Sequence, residues 1–389
     1  MKQNYKLLSR IFLFSAVLAA ATFIGCSKDE DEYIEPIPEP VVSPVTVDLT
    51  KVPYDSLSKY HFFDGEGEII AAMKDLSPSL DVLPYAPASA LFSDYAHKKR
   101  FVWMPKNTKA TFNSDGTILE LPVGAVLIKN FYYDNVQNIA NVGGRRIIET
   151  RLMIRKSEGW IFADYKWNAE QTEATFDLLG SFTDVVFKDD NDVTRTVNYK
   201  IPNESQCVIC HKSRDINDVT TYIPIGIKPQ NLNNNYNYGT ETKNQLTKWI
   251  EKGYLDSNFT FPTAENTTID YNDTSQPIEL RARSYVDINC AHCHGVDRHC
   301  DYRPMRFAFS ETKDNLANMG VCVNTEDMQS FPPSLSKIVN AGRPENSMLY
   351  YRINTTNETY RMPLHGRTVL HDEGIALMRD WINSLDRCD

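Results

Sequence analysis

The sequence predicts an α+β multidomain chain, with an antiparallel β-rich domain first and helical segments after it. Three observations predict this. Runs of branched and aromatic residues, separated by turn formers, fill residues 49–200. Apolar residues at helical spacing mark 244–254, 278–289 and 371–385. The pattern C-x-x-C-H stands twice in the second half, as Cys207-Val208-Ile209-Cys210-His211 and Cys290-Ala291-His292-Cys293-His294.

The chain opens on export signals. Lys2, Lys6 and Arg10 precede an apolar run from Ile11 to Ile24 that is too short for a comfortable membrane span and reads as a cleaved signal. Phe23-Ile24-Gly25-Cys26 resembles a bacterial lipobox, although Thr22 and Phe23 depart from its leucine-rich form. The resemblance implies a signal peptide over 1–25, lipidation of Cys26 and anchoring to a lipid bilayer by more than one acyl chain. Ser27-Lys28-Asp29-Glu30-Asp31-Glu32 is either a solvated spacer or similar to the surface-export tag of Bacteroidetes-type lipoproteins. Pro36, Pro38, Pro40 and Pro44 make 26–48 an extended acidic tether. The expected location is therefore an outer-membrane lipoprotein facing the periplasm or the medium.

The formal charge of −10 becomes more negative once the basic signal is removed. That argues against nucleic acid and favours a basic redox partner protein.

In the β-rich domain, 146–155, 160–167 and 121–133 carry the strand signal. The turns are Asn113-Ser114-Asp115-Gly116, Asn141-Val142-Gly143-Gly144, Ser157-Glu158-Gly159 and Asp189-Asp190-Asn191-Asp192. Two segments, Gly67–Leu76 and Asn168–Leu179, carry helical composition. A first motif segment follows over 201–259. A linker rich in Thr, Asn and Asp covers 260–276, and a second domain covers 277–389. In the closing helix Ile375, Met378, Trp381, Ile382 and Leu385 form one apolar face.

Two thiols three residues apart and an adjacent histidine suit covalent attachment of a haem c. With Cys and His each at 8 of 389 residues, chance gives about 0.003 such matches. The alternatives are a zinc site built from both cysteine pairs, or two disulfide-forming pairs. The haem reading expects two covalently attached haems. Cys207, Cys210 and His211 bind one; Cys290, Cys293, His294 and Met362 bind the other, with His211, His294 and Met362 on the metal. His365 and His371 are the next donors after Met362, and His292 is expected to face solvent or a propionate. The first haem lacks a local sixth ligand, leaving His61, His97, Met104, Met153 and His299 as donors from elsewhere.

The chain resembles a little-characterised family of dihaem c-type cytochromes. The resemblance rests on Leu91-Phe92-Ser93-Asp94-Tyr95-Ala96, Lys98-Lys99-Arg100, Leu121-Pro122-Val123-Gly124, Ile148-Glu149-Thr150-Arg151 and Tyr165-Lys166-Trp167-Asn168, with the two motifs following in the same order. It implies a β-rich domain followed by cytochrome c-like haem domains. A fainter similarity links the β-region to small β-sheet cytochromes that oxidise hydroxylamine, and it points to Lys129 as a haem crosslink or else a solvated strand lysine. Residues 283–294, 343–347 and 361–366 are similar to a C-terminal cytochrome domain of bacterial multidomain proteins.

Three cysteines remain. In an oxidising compartment Cys300 and Cys322 are expected to pair, leaving Cys388 free. The function expected is a membrane-anchored dihaem cytochrome carrying electrons between extracytoplasmic partners, an electron-transfer protein more than a stand-alone enzyme. The alternative is a dihaem enzyme with an open first haem, acting on peroxide or a small nitrogen compound. Arg145, Arg146, Arg151 and Arg155 would line its pocket unless solvated. No hydrolase triad or phosphate loop stands out.

Overall fold

The strands form where the turn formers punctuate the chain. In the computed structural model, which describes residues 42–65 and 72–388, eight antiparallel strands make one sheet: β1 Leu83–Tyr85, β2 His97–Trp103, β3 Val126–Val136, β4 Gly144–Lys156, β5 Gly159–Trp167, β6 Ala174–Phe176, β7 Ser181–Lys188 and β8 Thr194–Ile201. The order β1 to β6 is a simple meander, and the β7–β8 hairpin attaches where Val136 at the end of β3 pairs with Phe187. Gly143 and Gly159 sit in the tight connections on either side of β4 with φ of 83° and 141°, backbone conformations that strain any residue with a Cβ. The signal peptide, Cys26, the acidic run and the tether up to residue 41 lie outside the described residues. No helix among the described residues is long and apolar enough to cross a membrane.

The sheet is buried on both faces, which explains why its sequence alternates only in part. On one face Phe101, Val126, Ile128, Leu152, Ile154, Ala163, Tyr165 and Trp167 pack under the segment from Val52 to Val82. On the other, Val102, Leu127, Met153 and Trp160 meet Ile227, Leu232, Leu246, Trp249 and Tyr254. Leu246 and Trp249 belong to a short helix, α2 (Gln245–Glu251), whose cap is Asn244 accepting from Leu246 N and Thr247 N at 2.9 and 3.3 Å.

Around α2 the second half of the chain is mixed. α1 (Glu204–His211) precedes two small hairpins, and α3 (Ile278–Asn289), α4 (Met348–Ile353) and α5 (Asp372–Asn383) are joined by one-turn helices and loops. α3 and α5 pack through Ala282, Tyr285, Val286, Ile375, Met378, Trp381 and Ile382. Burying Trp381 and Ile382 alone contributes several kcal/mol, at ~1.5–3 kcal/mol per large apolar side chain. The coarse α+β prediction holds. The finer expectation of helical cytochrome domains is not borne out: the second half mixes helices with loops and four three-residue strands, all between residues 212 and 244.

Of two helix expectations, one is met only in part within the described residues and the other fails. Of Gly67–Leu76, residues 72–76 form only a one-turn 3-10 helix, Met73–Asp75, and 67–71 lie outside the described residues. Asn168–Leu179 is a turn followed by edge strand β6. Its Glu and Ala content suggested a helix, but the Asn168 side chain accepts from Thr172 N at 2.9 Å and turns the chain back to pair with β5.

From Ser43 to Asp389 the contacts make a single compact unit. Asp94 binds the C-terminal segment to the sheet by accepting from Thr368 N, Thr368 Oγ1 and Val369 N at 2.6, 2.9 and 3.1 Å. Asp287 in α3 gathers two further segments, accepting from Lys228 Nζ at 2.7 Å and Asn231 Nδ2 at 3.0 Å of one and from Phe309 N at 2.9 Å of the other. These contacts bring the two pentapeptides together over one face of the sheet.

Candidate thiolate–imidazole centre

The first pentapeptide is the second half of α1. A capping box starts that helix: Asn203 Oδ1 accepts from Gln206 N at 3.1 Å, and Gln206 Oε1 accepts from Asn203 N at 3.2 Å. Helical spacing then places Cys207 and Cys210 on one side. His211 ends the helix and is fixed by a reciprocal pair with Ile223. Its carbonyl accepts Ile223 N at 2.9 Å, and its Nδ1 lies 2.7 Å from Ile223 O. That carbonyl takes the Nδ1 proton and leaves Nε2 as the free electron pair. Burial holds the His211 imidazole neutral, with its pKa lowered to about 4.

The second pentapeptide begins where α3 stops. Cys293 N and His294 N both bond back to Cys290 O, at 3.1 and 3.0 Å, so the motif is a tight turn. His294 packs edge-on to Phe307 with ring centroids 5.5 Å apart, and burial lowers its pKa to about 4. Its Nδ1 is buried without a hydrogen-bond partner.

The turn and the helix converge. Cys210 Sγ, a His292 ring nitrogen and Cys293 Sγ lie within 4.8 Å of one another. Cys293 Sγ also reaches Ile209 O at 3.7 Å. The neighbouring Cys293 thiol is the first cause that holds the Cys210 pKa well below the usual thiol range, against an opposing burial effect and with His292 helping. Cys293 is pushed upward by the same neighbour. Burial raises Cys207 and Cys290 to about 12, so both are thiols at neutral pH.

Two small cavities flank the cluster. One, of about 140 Å³, is lined by Cys207, Cys210, His211 and His292 together with Lys129, Arg151, Met153, Phe162 and Asp164 of the sheet. The other, of about 50 Å³, is lined by Cys290, Cys293, His294, His299, Cys300, Met362 and His365. His292 borders both, and also a cleft of about 1020 Å³ that opens between the sheet edge and α3.

The haem reading is corrected by this convergence. Two separate attachments require each thiol pair to serve its own macrocycle with its own histidine, whereas Cys210 is engaged with Cys293 and His292 of the other motif. The cavities beside the thiols, of about 140 and 50 Å³, also fall short of the ~300–1,000 Å³ of sites for drug-sized ligands. The residues as arranged do not fit two haems c. The dihaem cytochrome resemblance, the electron-carrier function and the dihaem-enzyme alternative fall with them. No family model, curated protein or solved structure matches the chain.

The disulfide expectation is overturned as well. Cys322 bonds to Cys388, with S–S 2.08 Å and Cα–Cα 5.5 Å, and Cys300 is a buried free thiol. Spacing favoured Cys300 because it brackets a loop with Cys322, but Cys300 is drawn to the second motif, where its N–H bonds to Cys293 O at 2.9 Å.

The other expected residues separate cleanly. Met362 and His365 line the cavity with His294, and Met153 lines the cavity with His211. His61 pairs with Asp64 at 2.7 Å at the surface, His97 lies over Tyr132, and Met104 is in the core. Buried His371 stacks on Phe92 at 4.1 Å. Of the four arginines, Arg145 pairs with Asp134 at 2.8 Å, Arg146 donates to Asp184 O at 3.2 Å and Arg155 borders the large cleft. Arg151 alone reaches the thiol cavity. His292, expected to face outward, is instead central. No local signal separates it from a solvent histidine, because its position depends on a contact with α1 far away in sequence.

Proposed function

We propose that the chain is an extracytoplasmic, lipid-anchored metal-binding protein, in which Cys210, Cys293 and His292 hold one d10 ion, zinc(II) or copper(I). The observation that carries this reading is the convergence of two sulfurs and an imidazole within 4.8 Å. Thiolate and imidazole donors select borderline and soft ions, and three protein ligands leave a position for water or a substrate. A Cys210 thiol already poised to ionise lowers the proton cost of binding. Export and anchoring rest on the basic, apolar and Cys26 signals at the N-terminus.

The thiolate–thiol contact also favours a second reading, a reversible Cys210–Cys293 disulfide. Thiol–disulfide exchange with an external disulfide, which takes the two electrons and leaves as two thiols, would then release the metal and remove two alkylatable thiols.

Metal analysis of the purified protein tests the proposal. One zinc or copper per chain is expected, and cobalt(II) exchange should give an intense thiolate charge-transfer band that Cys210→Ser removes. Protein free of stoichiometric zinc and copper, with no cobalt band, would overturn it.

A further inference from the structure

We propose that the sheet face beneath the thiols is a binding site for a small oxyanion carrying two negative charges. The residues that carry it belong to the sheet, and the cavity they share with Cys210 and His292 lies beside the metal centre. Register places Arg100 opposite Lys129, Lys129 opposite Arg151, and Arg151 opposite Asp164. Cross-strand partners share a face, so four neighbouring strands present Arg–Lys–Arg–Asp in one row. Lys98 lies on the same face two residues before Arg100, and Glu149 two before Arg151.

This row carries more positive charge than the protein offsets. Glu149 is fully buried and already accepts from Arg151 Nη2 and Tyr199 Oη, each at 2.5 Å. Asp164 is 3 % exposed, and neither of its oxygens has a hydrogen-bond partner. Burial and the neighbouring Glu149 push its pKa well above the usual carboxylate range, and its one ion-pair partner, Arg151 Nε at 3.9 Å, is already bonded to Glu149. Among the described residues, no ion pair involves Lys98, Arg100 or Lys129. Lys129 Nζ and Arg151 Cζ both lie over the Phe131 ring, at 4.9 and 4.3 Å. A cation–π contact softens the burial but removes no charge.

Like charges directly opposite one another across a sheet destabilise it, and a buried charge without a partner costs more still. A lysine escapes by losing its proton, and burial with the adjacent cations pushes Lys129 and Lys98 in that direction. Arginine has no such escape. The remaining remedy is an anion. Arg151 spends Nε and Nη2 on Glu149, which leaves its other amino group, and the cavity of about 140 Å³ lined by Lys129, Arg151 and Asp164 lies over that end of the row, with Arg100 one strand beyond. At roughly 30 Å³ per water, this is the room of four or five waters, enough for phosphate or a four-carbon dicarboxylate.

Thermal unfolding of the purified full chain tests the site, with phosphate or succinate compared with chloride at matched ionic strength. One or both dianions should raise the midpoint where chloride does not. Lys129→Met should raise the midpoint of the ligand-free protein, because a buried amine without an ion-pair partner is replaced by an apolar side chain, and weaken dianion binding about tenfold or more. A merely structural lysine would instead lower the midpoint when removed. Arg100→Gln should also weaken the response, while Arg145→Gln, on a strand position already paired with Asp134, should leave it unchanged. Midpoints that respond to neither dianion more than to chloride would overturn the proposal, as would a full response in Arg100→Gln. Should Lys129→Met not fold, the wild-type and Arg100→Gln measurements still decide.

Discussion

The two pentapeptides share one pattern and differ in everything around it. The first lies on a capped helix, its histidine locked by reciprocal bonds to Ile223, and it looks onto the charged face of the sheet. The second is a turn at the end of α3, its histidine held by packing against Phe307 with Nδ1 unpartnered, and its cavity is lined by sulfur and imidazole with few charges. Their thiols also differ. Cys210 is the most acidic and Cys293, its neighbour across the two motifs, is displaced upward. Residue spacing places donors on a backbone; the surroundings decide which of them ionise and which meet.

Removing one donor breaks the comparison most severely. Cys210→Ser and Cys293→Ser should each abolish metal binding, a loss beyond the ~10–100-fold typical of outer-shell changes. His211→Ala or His294→Ala should cost no more than that range. If His294→Ala matched Cys210→Ser in metal titrations, the two motifs would be acting as separate sites.

Next in size is the bridge that closes the second region. Cys322 and Cys388 are 66 residues apart, and losing that cross-link should cost about 4 kcal/mol on loop-entropy grounds. Cys322→Ser should therefore lower the chemical-denaturation midpoint strongly while leaving Cys300→Ser near wild type, since Cys300 is free. A large loss in Cys300→Ser and none in Cys322→Ser would reverse the assignment.

A pH effect should separate the regions further. His371, stacked on Phe92 and 3.3 Å from Tyr285 Oη, has its pKa lowered to about 3 by burial. The unfolded chain, with an ordinary histidine pKa near 6.5, takes up this proton first. Stability from this group is therefore complete above pH ~6.5 and is lost as pH falls toward about 3, by a few kcal/mol. His371→Gln should flatten that part of the stability–pH curve measured by urea unfolding. An unchanged curve would mean His371 is not buried in its neutral form.

The smallest expected effect is at the seam. Asp94→Asn keeps the shape but weakens the bonds to Thr368 and Val369, at a cost of about 1–3 kcal/mol. Hydrogen exchange should rise around residues 366–370 before it rises in β3. Equal changes in both would show that the seam is not a separate element.

Much of the frame was legible in the sequence. The turns at 141–144 and 157–159 bound β4, and apolar spacing located α2, α3 and α5 within a few residues. The β6 edge strand was not, because Asn168 overrides the helical composition that follows it. The centre was half legible. Both pentapeptides were visible, but the meeting of Cys210 with Cys293 depends on Asp287 and Asn289 drawing α3 toward the sheet segments, a long-range effect with no local signature. The row Arg100–Lys129–Arg151 was hidden for the same reason. Each residue reads as a solvated strand cation until register aligns them.

Intact and peptide mass analysis of the mature protein, paired with zinc, copper and iron quantification, tests the central claim most directly. The account predicts one zinc or copper per chain and unmodified masses for the peptides containing Cys207–His211 and Cys290–His294. A porphyrin-sized addition on either peptide, with iron in place of zinc or copper, would contradict it.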